Sequence, residues 1–213
     1  MRKGENLETF VLRALLRTPI IRRGFVTLDA LLMATLGTGD VSHLVRCEEG
    51  LYFASAGFAV DATATQRASF VASMRPEHSP QWLEVVRSNT LDGDLKIGLS
   101  RQREGGNIIS AYTATVAKAI EWYATGEPQS VLDVMHTVGF IGKRRTAGFG
   151  EVTHWETEPG DLDGLVGYGN EPLRPIPTER WTSGGDWVPV EAAWKAPYWD
   201  VRSRTRCFVP EAF

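Results

Sequence analysis

From Phe10 to Leu16 the chain reads FVLRALL. In an extended segment Phe10, Leu12, Ala14 and Leu16 fall on one side and Val11, Arg13, Leu15 and Arg17 on the other, which predicts a first strand. Thr18-Pro19 breaks it, and an Arg-Arg-Gly turn at Arg22 to Gly24 follows. In TLDALLMATLG the period changes. Thr27 is placed to cap, Leu28, Leu31, Leu32, Thr35 and Leu36 make a helical stripe, and Gly37 ends it.

LYFASAGFAV (Leu51 to Val60) and RASFVASM (Arg67 to Met74) read as strands joined by a polar turn at Asp61 to Gln66, with a loop at Pro76 to Pro80. SRQREGGN, Ser100 to Asn107, lies between the apolar stretch LKIGL and a long β-prone segment, and reads as a protruding hairpin tip. Alanines would permit a helix over Ile108 to Ala124, but Ile108, Ile109, Tyr112, Val116, Ile120, Trp122 and Tyr123 favour one continuous strand. After a turn at Gly126 to Pro128, Ser130 and Asp133 resemble a capping box, and Val131, Val134, Met135 and Val138 form the stripe of a second helix. GEVTHWET, Gly150 to Thr157, alternates as a last strand.

The order strand, helix, strand, strand, helix, strand predicts an α+β fold. It would be a ferredoxin-like (RRM-like) βαββαβ core with an antiparallel sheet and an inserted hairpin. That core is expected over residues 1–158. Beyond Pro159 the chain turns rich in Gly and Pro and holds four tryptophans, Trp181, Trp187, Trp194 and Trp199, so 159–213 is expected to be an irregular extension packed on the core.

Net charge is −3 over 213 residues, which argues against a protein that coats nucleic acid with its whole surface. The cations are local. They gather at Arg13, Arg17, Arg22 and Arg23, at Arg101 and Arg103, at Lys143 to Arg145, and at Arg202, Arg204 and Arg206. Any one of these clusters could be an ordinary solvated face. Two cysteines, Cys47 and Cys207, lie far apart without metal-ligand spacing, which suits a reducing compartment. No apolar run is long enough to span a bilayer and the N-terminus lacks a signal-peptide core, so a cytoplasmic protein with no membrane partner is expected.

FIGKRRTAGFGEV, Phe140 to Val152, is the sharpest feature. Lys143, Arg144 and Arg145 are consecutive, Gly142, Gly148 and Gly150 flank them, and Phe149 sits among the glycines. Glycines let bare backbone approach a ligand, and the cations add charge-assisted contacts, so the expected ligand is a polyanion. The spacing GxxxxGK[ST] is absent and the loop runs from helix to strand, the reverse of a nucleotide P-loop. Cations beside an aromatic suit an RNA backbone with its bases splayed onto rings. The bland alternative is an exposed connection with solubilising charge.

Catalytic patterns are weak. There is no GxSxG elbow and no GxGxxG after a strand. The short pairs Asp92/Asp94 and Asp161/Asp163 read as turn residues, so neither metal nor cofactor is expected. Of the four histidines, His43 follows the first helix, while His78, His136 and His154 are scattered and form no group with Lys or Tyr.

The element order, TPII (Thr18 to Ile21) with LDALL (Leu28 to Leu32), WYATGEP and above all GFIGKRRTAGFGEV resemble the RAMP superfamily of CRISPR effector-complex subunits. Within it the chain is most similar to the type IV subunit that caps the crRNA 5′ handle, and RPIP (Arg174 to Pro177) and APYW (Ala196 to Trp199) resemble that subunit's tail. The resemblance implies a non-catalytic, guide-RNA-binding subunit of an antiviral ribonucleoprotein. Gly142, Lys143, Arg144, Arg145, Gly148, Phe149 and Gly150 would contact the crRNA handle, Arg101 and Arg103 would lie on a hairpin beside the neighbouring backbone subunit, and Arg22 and Arg23 are further candidates. A large subunit would be the other neighbour, and target DNA would be met only indirectly. Some relatives process precursor RNA without metal, so the competing expectation is a guide-processing endoribonuclease using His43.

Overall fold

The structure, a computed structural model, describes residues 7–22, 24–73, 107–181 and 187–211. Its elements are β1 (Glu8–Leu16), β2 (Ile20–Ile21), α1 (Leu28–Leu36), β3 (Cys47–Glu48), β4 (Leu51–Tyr52), β5 (Phe58–Val60), β6 (Ala64–Ser73), β7 (Asn107–Val116) and β8 (Ala119–Gly126). They continue with α2 (Pro128–Met135), β9 (Val152–Pro159), β10 (Ile176–Pro177), β11 (Val190–Ala193) and β12 (Arg204–Phe208). The described parts of 1–65 and 115–213 form one compact unit, and those of 66–114 a second. In the second, β6 and β7 are neighbours in a sheet, and the rings of Phe70 and Tyr112 meet edge-on at 5.8 Å. The protein is thus α+β with mostly antiparallel sheets. No helix among the described residues is long and apolar enough to cross a membrane.

A four-stranded antiparallel sheet in the order β5-β8-β1-β9 organises the first unit. β1 pairs with β8 from Glu8↔Gly126 to Leu15↔Ala119 and with β9 from Phe10↔Pro159 to Leu15↔His154, with a register shift at Leu15/Leu16. The alternation in β1 has its expected effect: Phe10, Leu12 and Ala14 are buried and join Ile120, Trp122, Ala124 and Trp155 in one core with Leu28, Leu32, Val131 and Met135 of the helices. Trp122 and Trp155 stack at 5.9 Å, and each indole N–H finds a backbone carbonyl, Val26 for Trp122 at 2.9 Å and Val138 for Trp155 at 2.8 Å. Buried tryptophans need such partners.

Several elements differ from the pattern-based expectation. The segment expected as one strand over 108–124 is two, β7 and β8, parted at Ala117-Lys118 where no Gly or Pro marks the break. There the backbone is held from both sides: Lys118 donates its N–H to Val60 O at 3.1 Å and accepts from Leu16 N–H at 2.9 Å. The strand expected over 51–60 is likewise two short strands, β4 and β5, around a buried run from Phe53 to Ala56 whose backbone bonds go to Arg46, α1, β8 and Leu173. In α2 the first turn begins at Pro128, so Ser130 lies inside the helix rather than at its cap. A proline at that position lacks the N–H that would otherwise be orphaned.

α1 differs most informatively. Thr27 occupies the cap position without a side-chain cap bond and Gly37 ends the helix at φ 65°, but the buried side is Leu28, Asp29, Leu32 and Met33, while Leu36 is exposed. Asp29 is inside because Arg174 is there. The Arg174 guanidinium is fully buried: it donates to Asp29 Oδ1 at 3.3 Å, to Ala54 O at 3.0 Å, to Trp194 O at 2.9 Å, to the Tyr198 hydroxyl at 2.8 Å and to Tyr52 O. Tyr198 donates its own hydroxyl to Asp29. Burial pushes the Tyr198 phenol well above its usual range.

Through this cluster the extension after Pro159 is tied to α1. The extension is less irregular than its composition predicts, since β10, β12 and β11 form a three-stranded sheet over a small core of Leu51, Ile176, Trp194 and Cys207. Trp181 packs edge-on against Phe208 at 5.2 Å, whereas Trp199 is 83% exposed.

Removing one member of a buried ion pair strands the other. Arg174→Met should cost about 3–5 kcal/mol and Tyr198→Phe about 1–3 kcal/mol. Urea unfolding of the three proteins measures both, and equal midpoints for Arg174→Met and the parent would contradict the assignment.

Candidate nucleic-acid interface

The glycine loop connects α2 to β9, and its base is stitched to the turn after β1. Lys143 N–H donates to Ile21 O at 2.8 Å, Gly150 N–H to Pro19 O at 2.9 Å and Glu151 N–H to the Thr18 hydroxyl at 2.9 Å. Across the loop, Ile141 N–H donates to Gly150 O and Val152 N–H to Gly139 O, both at 2.9 Å. Above this clamp Arg144 adopts a left-handed conformation (φ 59°), Arg145 to Ala147 make one 3₁₀ turn, and Gly148 turns the chain back at φ 84°.

The glycines divide into two kinds. A Cβ on Gly142 would lie 2.6 Å from Ile21 O and one on Gly150 only 1.9 Å from Ile141 O, so both serve close packing within the protein. At Gly148 nothing lies within 4 Å of that position. Its need is positive φ alone, and it presents backbone to open space.

The cations divide as well. Lys143 and Arg145 are exposed and make no ion pair among the described residues. Arg144 and Phe149 are half-buried, and so is Arg22, which donates to Gly57 O at 2.7 Å and whose burial lowers its pKa from the usual arginine value. Arg23, Arg101 and Arg103, with the hairpin expected at 100–107 apart from Asn107, lie outside the described residues.

The remaining cations near the start of the chain are matched by acids. Arg13 projects from the centre of the sheet's other face and bonds Glu121 at 2.6 Å, Glu156 at 2.9 Å and Glu158 at 2.8 Å; the first two stand directly opposite it on β8 and β9. These three carboxylates hold its pKa above the ordinary value. Arg17 pairs with Glu151 at 3.0 Å. One cation among three carboxylates makes this face a poor platform for a nucleic acid. A register reading could have found it, because Arg13, Glu121 and Glu156 occupy the polar side of alternating strands, but the sequence alone does not say which strands are neighbours.

The histidines do not converge on the loop. His43 is exposed in the segment after α1, next to Asp40, whose carboxyl is held below its usual pKa chiefly by the Ser42 backbone N–H and the Tyr52 hydroxyl. His136 follows α2 and His154 lies on β9, both exposed. Among the described residues no three His, Cys, Asp or Glu side chains gather as a metal site would require.

A family model described as CRISPR type IV associated protein Csf3 matches residues 62–210, more than two thirds of the chain. The chain belongs to the Csf3 family. The match takes in the glycine loop and nearly all of the extension of this Csf3-family chain. No curated protein matches the chain. Family membership makes it a type IV CRISPR-associated subunit.

The two kinds of glycine should respond differently to one methyl group. Gly148→Ala carries only the left-handed penalty, about 1–2 kcal/mol. Gly150→Ala must also displace the Ile141 carbonyl, so its loss of thermal stability should be the larger. Thermal unfolding of both variants checks the order, and a reversed order would contradict the packing.

Proposed function

We propose that this chain is a non-catalytic guide-RNA-binding subunit of a type IV CRISPR effector complex, gripping the 5′ handle of the crRNA with the tip of its glycine loop. The observation that carries the proposal is a pair of exposed cations, Lys143 and Arg145, without ion-pair partners among the described residues, on a glycine-turned tip in a Csf3-family chain. Arg144, in the left-handed conformation between them, adds a third charge to the same short arc. Single-stranded RNA offers phosphates to such cations, and the open backbone at Gly148 lets the strand come close.

The sheet order supports a ferredoxin-like βαββαβ core of the RAMP type. With β1, β5, β8 and β9 taken as its four strands, α1 falls between the first and second and α2 between the third and fourth. In this reading β6 and β7 bound an insertion, and the neighbouring backbone and large subunits meet the chain away from the loop, with target DNA reached only through them. Binding rather than cleavage is favoured by the scatter of His43, His136 and His154, since acid–base cleavage needs groups that converge on one phosphate.

Handle-containing and handle-deleted guide RNAs, titrated with the full chain and with Lys143→Ala/Arg144→Ala/Arg145→Ala, test the reading. Binding should depend on the handle, and the triple variant should reduce the salt slope by about 0.7 for each phosphate it no longer neutralises. Unchanged binding in the variant would refute the loop's role, and cleaved RNA in the same tubes would favour the nuclease reading.

A further inference from the structure

An open cleft of about 700 Å³ lies between the outer side of α1 and the chain that runs from the end of α2 into the glycine loop. Leu31 and Ala34 form one wall, Val138 and Phe140 the other, and Arg145 and Thr146 stand where the cleft meets the loop tip. The size falls within the range of pockets that hold small ligands, about 300–1,000 Å³.

Its chemistry is mixed in an informative way. Phe140 is 37% exposed and Ala34 is exposed, so apolar surface meets solvent directly beside Arg145, a cation with no ion-pair partner among the described residues. Two further lining residues, Thr35 and Thr137, donate their hydroxyls to Leu31 O at 2.8 Å and Val134 O at 2.7 Å. With their protons committed, these oxygens can offer a ligand only lone pairs. An occupant that suits the cleft has a flat apolar ring, carries N–H donors at its edge and is joined to an anion. A helix or apolar side chain from a protein would fit the walls but would leave Arg145 and the acceptors unmatched, so charge complementarity favours a nucleotide.

We propose that the cleft takes one unstacked nucleobase of the bound RNA, set against Phe140, with the adjoining phosphate on Arg145. The inference rests on the RNA-binding reading above and adds that binding has a base-recognition component separate from the phosphate contacts. A concave seat of this kind accepts a base only from a single-stranded segment, because a paired base stays in its stack.

The test uses the full chain and guide RNA in which 2-aminopurine replaces each handle base in turn, with Ala34→Leu and Phe140→Ala as variants. Ala34 points outward from α1 and leucine is nearly as good a helix former, so Ala34→Leu fills the cleft without touching the core. One labelled position should change its fluorescence on binding to the parent protein. Both variants should abolish that signal and weaken binding on the order of tenfold while the salt slope stays constant. Handle-dependent binding with no responsive position, or variants that bind like the parent, would overturn the base seat alone and leave the cleft to a partner protein. Absence of any RNA binding by the parent would overturn the RNA-binding reading and the base seat together.

Discussion

A buried guanidinium fixes the arrangement of this protein. Arg174 has no access to water, so its charge must be met inside, and the groups that meet it come from separate parts of the chain: Asp29 on α1, the carbonyls of Tyr52 and Ala54, Trp194 O and Tyr198. Moving a charge out of water costs several kcal/mol, and the partners gathered on its two terminal nitrogens are what offset it, while Nε is left without one. Each partner is therefore constrained by the others. The extension cannot shift relative to α1 without exposing an unpaired charge, which explains why a tail built from three short strands can hold a definite position.

Charge is distributed to the same effect across the surface. The chain is acidic overall, and several of its arginines are neutralised by carboxylates. Arg13 is surrounded by Glu121, Glu156 and Glu158, Arg17 faces Glu151, Arg180 pairs with Glu49, and Arg202 pairs with Asp200. Lys143 and Arg145, like Arg204 and Arg206 on β12, make no ion pair among the described residues, and they stand on a loop whose base is hydrogen-bonded to Thr18, Pro19 and Ile21. A polyanion approaching this unit meets a carboxylate-rich sheet face on one side and, at the loop, Lys143 and Arg145. The clamp keeps those cations on a rigid base, which limits the entropy lost when a strand is bound.

What the sequence disclosed follows from which forces act locally. The alternation in β1 and the glycine loop could be read because the period of two and the need for positive φ are properties of neighbouring residues. Helix α1 was legible in its extent but not in its facing. Hydropathy places Asp29 outside, and only a partner 145 residues away reverses that. The break between β7 and β8 leaves no local mark for a similar reason, since Val60 and Leu16 hold the backbone there. In the candidate site the cations were evident, but Gly142 and Gly150 turned out to accommodate carbonyls of the chain itself, which no spacing rule distinguishes from accommodating a ligand.

Facing matters beyond α1 itself. With Asp29, Leu32 and Met33 turned into the core, Leu31, Ala34 and Thr35 are left to line the cleft beside the loop. The buried ion pair turns Asp29 inward, and the residues of α1 that line the cleft lie on the side of the helix away from it. The extension, which supplies none of the residues lining the cleft, is tied to α1 through Arg174. The guanidinium that meets Asp29 comes from the extension, and the cation that stands at the mouth of the cleft, Arg145, comes from the glycine loop.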